Sequence, residues 1–87
     1  SVAPNPFRPA EHSDLLISGL NAPTSRVRVL TVDGRVVFES DAVFSGSFRW
    51  DGRDARTGER VPSGVYLVAA SGTDGESTIY GKLAVIH

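Results

Sequence analysis

No stretch of this chain holds a helical pattern long enough to close several turns. Its apolar residues come instead in short runs, many of them β-branched, each cut off by Gly, Pro, Asn or Asp. The clearest case is Arg26 to Ser40, where two such runs meet at Asp33-Gly34, a dipeptide that tolerates the positive φ of a tight turn. A two-residue turn predicts Val29 opposite Phe38, Leu30 opposite Val37 and Arg28 opposite Glu39, so that apolar faces apolar and opposite charges meet. A longer loop with Gly34 in the left-handed conformation shifts every pair, and both registers stay open at this level.

The same reading finds a strand in Asp14 to Ser18, closed by Gly19, Asn21 and Pro23, and another in Phe44 to Trp50, where a period of two turns Phe48 and Trp50 inward. Asp51 to Gly64 is a turn-rich connection. Val65 to Ala70 and Thr78 to Ile86 follow as two more strands around a Gly72 to Gly75 turn. Six or seven short strands without a helix predict an all-β, immunoglobulin-like antiparallel sandwich over residues 11–87, with an open barrel as second choice. Residues 1–10 carry prolines at 4, 6 and 9, which lack a donor and hold their predecessors extended, so this segment reads as a linker.

Composition narrows the function. A chain of 87 residues builds one modest core, hiding roughly 60 to 65% of the surface it exposes when unfolded. Nine basic against ten acidic side chains create no positive field for phosphate, which argues against a nucleic-acid partner. Apolar runs fall well short of the ~20 residues that cross a bilayer as a helix, so no membrane-spanning segment is expected. The absence of cysteine removes disulfides and thiolate metal sites. A sequence that starts at Ser1 and contains no methionine reads as a piece of a longer polypeptide, with initiator removal as the alternative.

Side chains suited to chemistry are sparse. His12 and His87 have no second histidine or cysteine at ligand spacing, and no Gly-x-Ser-x-Gly elbow presents a nucleophile. Asp51-Gly-Arg-Asp54 lacks the alternating acids and closing Glu of a calcium loop; Asp51 is expected to accept backbone hydrogen bonds while Gly52 allows the turn. With one Trp, two Tyr and four Phe, and with Phe38, Trp50 and Tyr66 fitting core positions, sugar stacking has little to work with. We therefore expect no catalysis, no metal and no cofactor.

Five segments in order carry a resemblance: Pro4-Asn5-Pro6-Phe7; Val27 to Gly34-Arg35; Trp50-Asp51-Gly52-Arg53-Asp54; Val61-Pro-Ser-Gly64-Val-Tyr66; and Gly81-Lys82-Leu83-Ala84-Val85-Ile86. Together they look like the C-terminal sorting domain of the bacterial type IX (Por) secretion system, and they are also similar to the immunoglobulin-like domain of flagellar hook-capping proteins. The resemblance implies a β-sandwich covalently linked to an upstream cargo. It would be read by an outer-membrane translocon and its sorting machinery, pass through the periplasm, and finish at the cell surface or outside the cell. It also implies that recognition lies in Gly81, Lys82, Leu83, Ala84, Val85 and Ile86. A terminal strand can pair with a receptor edge, which makes this physically reasonable. The residues themselves also support plainer roles. Gly34, Gly52 and Gly64 are expected to be backbone necessities, Trp50, Val65 and Leu67 core, and Lys82 a solvated strand residue. The competing functions are a structural spacer, a hook-cap assembly domain and a carbohydrate-binding module.

Overall fold

A computed structural model describes residues 2–20, 24–41, 43, 45–72 and 77–87. Within them the chain forms seven strands and no helix: β1 (Val2–Ala3), β2 (Leu15–Ile17), β3 (Thr24–Thr31), β4 (Val36–Glu39), β5 (Phe48–Trp50), β6 (Gly64–Gly72) and β7 (Ser77–Val85). They make two antiparallel sheets, one ordered β1-β2-β5 and the other β4-β3-β6-β7. This is the expected β-sandwich. In a constant-type immunoglobulin domain the fourth strand lies with the first sheet; here β4 stays beside β3 as the edge of the second. No helix among the described residues is long and apolar enough to cross a membrane.

Alternation decides which side chains form the core. Leu15 and Ile17 of β2, Val27 and Val29 of β3, Tyr66, Val68 and Ala70 of β6, and Leu83 and Val85 of β7 point between the sheets, around a fully buried Trp50. Trp50 satisfies its one donor locally, with Nε1 donating to Arg53 O at 3.1 Å. Tyr66, near the start of β6, donates its hydroxyl to Pro62 O at 2.7 Å. That is the corner bond by which immunoglobulin-like sandwiches tie the connection between sheets to the next strand. Burial raises the pKa of the Tyr66 phenol.

The β3–β4 hairpin follows neither simple register. Gly34 N donates to Thr31 O and Thr31 N to Arg35 O, so Val32, Asp33 and Gly34 form a three-residue loop with Gly34 at φ 94°. This loop moves Leu30 opposite Val36 rather than Val37, and the expectation for that pair is corrected. Val37 is then an unpaired extra residue, buried in the core, which restores the register so that Val29 meets Phe38 and Arg28 meets Glu39 as expected. Two irregularities cancel over three residues.

Other expectations shift as well. Val65 lies on the outer face of β6, half exposed, and Leu67 is only partly buried, so neither is the core residue it was expected to be. Gly64 opens β6 opposite Val85 without a positive φ, so no turn conformation requires it. Asn21, Pro23, Phe44 and most of the Gly72 to Gly75 turn lie outside the described residues.

Candidate functional site

The segment expected to be a linker is built into the domain. Val2 and Ala3 pair with Ile17 and Leu16 as β1, and Phe7 is 0% exposed, among the largest side chains wholly inside the core. Between these anchors the chain runs alongside the free edge of β7, parallel to it at Phe7–Val85. Phe7 N donates to Ala84 O at 2.7 Å and Ile86 N to Phe7 O at 3.0 Å. Two residues earlier Asn5 does the same work with its side chain, Nδ2 donating to Lys82 O at 2.9 Å while Oδ1 accepts from Ala84 N at 3.1 Å. An amide side chain has the donor and acceptor of a peptide group, so Asn5 stands in for one more strand residue.

The six residues assigned to recognition divide by face. Leu83 and Val85 point into the core, whereas Lys82, Ala84 and Ile86 present their side chains outward and direct their backbone groups at the strap formed by residues 5–7. Gly81 sits under Val2, where an added Cβ would lie 3.7 Å from Val2 Cγ2. The chain therefore exposes the outer side chains of β7, flanked by half-exposed Val65 and exposed Ile79. It does not offer the backbone edge from Lys82 to Ile86.

The strap also protects its own outer edge. Phe7 turns both backbone groups toward β7, so Pro6 and Arg8 face away. Pro6 has no donor, and Arg8 N is held by His12 Nδ1 at 3.2 Å. The His12 ring stacks on Phe7 with centroids 6.1 Å apart. A further strand finds no donor at either position.

The quoted motifs converge on one end of the sandwich. Phe7 lies against Gly52, whose φ is 79° and where an added Cβ would stand 2.6 Å from Phe7 Cε2. Trp-Asp-Gly-Arg-Asp thus supplies the floor on which the aromatic of Pro-Asn-Pro-Phe rests. Asp51 Oδ1 accepts from Arg53 N at 3.1 Å, and Val61 N donates to Gly52 O at 2.8 Å, fixing that floor. His87 closes the same end, with its backbone N on Ser63 Oγ at 2.9 Å and Nε2 against Val61 O at 2.7 Å. Arg35, the residue after Gly34, closes the hairpin loop, its backbone O accepting from Thr31 N at 2.8 Å.

Sequence reasoning missed Phe7 and the pairing role of Asn5. One signal was available: a large aromatic between prolines is a poor linker residue, because exposing it gains nothing. Elsewhere, an open groove of about 650 Å³ runs between β4 and β5, lined by residues including Phe38, Val43 and Phe48. It lies at the opposite edge of the four-stranded sheet from β7. Phe38 and Phe48 stack on each other there, half buried, and every described aromatic is buried or half-buried, which leaves no flat exposed row for a sugar. No group of three or more acidic or histidine side chains among the described residues can hold a metal ion.

No family model and no curated protein matches the sequence. Among solved structures, the chain is similar to part of PorZ of Porphyromonas gingivalis, an essential bacterial surface component of the type-IX secretion system of that human oral-microbiomic species. The likeness has a TM-score of 0.80 and 34% sequence identity over 100% of this chain, which spans 11% of PorZ.

Proposed function

We propose that this domain is a non-catalytic module of a type IX secretion system. In this reading it directs a covalently linked cargo across the outer membrane to the cell surface or medium, and the outward residues of β7 are what the translocon reads. The carrying observation is the likeness to a segment of PorZ over the whole chain, well above the identity at which fold alone is shared. The geometry is consistent with this role. β7 is an edge strand, the side chains of Lys82 on it and of Ile86 just beyond it are exposed, and the motif residues cluster around its far end. A spacer has no use for such clustering beyond stability, yet the covered backbone edge of β7 suits a spacer well, so that reading is kept as the alternative.

The test must spare the fold. Truncation before β7 removes Leu83 and Val85 from the core and unfolds the domain whatever its function. A periplasm-directed fluorescent reporter fused to the chain should instead be compared, in a type IX-competent bacterium, with the same fusion carrying Lys82→Glu and Ile86→Ser. We expect the first outside the cell and the second retained, with matching thermal melts for the isolated domains. Equal export of both removes the outward face of β7 from recognition, and retention of both favours the spacer.

A further inference from the structure

We propose that residues 5–7 are a displaceable strap. When it leaves, the edge of β7 from Lys82 to Ile86 takes up an extended peptide segment of a partner, parallel to β7, with a large apolar side chain in the place of Phe7. The identity of that partner as part of the secretion machinery rests on the function proposed above; the strap itself does not.

The bound strap defines what fits. It is an extended segment seated on an edge through four hydrogen bonds, two from an Asn side chain and two from the Phe7 backbone. A partner peptide therefore needs a hydrogen-bonding group at one position and an aromatic or bulky aliphatic residue two positions on, the mode known as strand addition. Local structure favours displacement. From Val2 to Asp14 only Phe7 is fully buried; Arg8, Ala10, Glu11, Ser13 and Asp14 are exposed, and β1 has only two paired residues. Segments with so few buried contacts open at lower free energy than the core. Leaving the strap exposes backbone groups of Lys82, Ala84 and Ile86 together with the hollow above Gly52.

Two measurements on the full chain test this. In native-state hydrogen exchange, the amides of Ala84 and Ile86 are protected by the strap alone, whereas those of Leu83 and Val85 face β6. Asn5→Ala, which leaves the core untouched, is expected to speed exchange at Ala84 and Ile86 about tenfold and leave Leu83 and Val85 unchanged. In the second, a fluorescent peptide of residues 1–10 is titrated into the Phe7→Ala chain and into the unaltered chain. Saturable binding to the first, weakened when the peptide's own Phe is replaced by Ala, is the expected result. Should Phe7→Ala not fold, the titration is run on Asn5→Ala. Exchange of all four amides at one common global rate, or no saturable binding to an opened chain, overturns the proposal. Neither measurement involves a translocon, so a failed export assay and a failed strap are told apart.

Discussion

Gly52→Ala tests the contact that joins the Pro-Asn-Pro-Phe and Trp-Asp-Gly-Arg-Asp motifs. Two costs arise from the structure. An L side chain at φ 79° sits in the left-handed region, which costs about 1–2 kcal/mol. The new methyl would also lie 2.6 Å from Cε2 of a ring with 0% exposure, so the core must shift, at roughly 1–3 kcal/mol. The sum, about 2–5 kcal/mol, is a large share of what so small a domain without disulfides can hold. Gly34→Ala separates the two costs, because Gly34 has φ 94° but nothing within 4 Å of the added Cβ, leaving only the conformational penalty. Urea unfolding of both variants should place Gly52→Ala below Gly34→Ala by the overpacking term. In a Phe7→Leu background, which removes the crowding ring edge, the cost of Gly52→Ala should fall toward that of Gly34→Ala. Equal losses for the two glycines, or additivity with Phe7→Leu, would refute the idea that Phe7 rests on Gly52.

Three further outcomes follow from single residues. Trp50→Ala should cost roughly 3 to 5 kcal/mol in urea unfolding, since the indole is 1% exposed at the centre of the core. Tyr66→Phe should lose about 1 kcal/mol, seen as a lowered melting temperature, by leaving Pro62 O without its corner donor. Glu39 accepts from Arg28 and Arg26 at 2.5 Å each, and these bonds hold its carboxyl below the usual glutamate range. Its folded pKa is thus lower than its unfolded one, so its contribution is complete above the unfolded value and lost as pH falls through the lowered folded value. Glu39→Gln should therefore narrow the gap between melting temperatures measured at neutral and at acidic pH; an unchanged gap would contradict this.

The sandwich was legible because its signals are local. Alternation put Trp50 and Tyr66 inside, and Asp33-Gly34 located the hairpin. The pairs Arg28–Glu39 and Val29–Phe38 came out as expected only because the longer loop and the Val37 bulge offset each other, a cancellation that no single-residue preference reveals. The strap was illegible for a different reason. Its bonds join Asn5 to Lys82 and Ala84 across 77 and 79 positions, and one of its pairing groups is a side chain, so no periodicity marks it. Proline spacing indicated an extended conformation correctly but could not say against what. At the candidate site, resemblance alone singled out Gly81 to Ile86, and the structure divides them into core, edge and outward-facing groups that alternation along β7 would have separated had the strand's neighbours been known.

As proposed, the folded domain suffices to direct export of a protein fused ahead of it. The most direct measurement is the location of a periplasm-directed reporter with and without this chain fused behind it, in a type IX-competent strain and in the same strain lacking a functional translocon. Reporter at the surface or in the medium only when both chain and translocon are present is the predicted result. Reporter held in the periplasm by a fusion whose domain is shown to be folded, or released without the translocon, would contradict it.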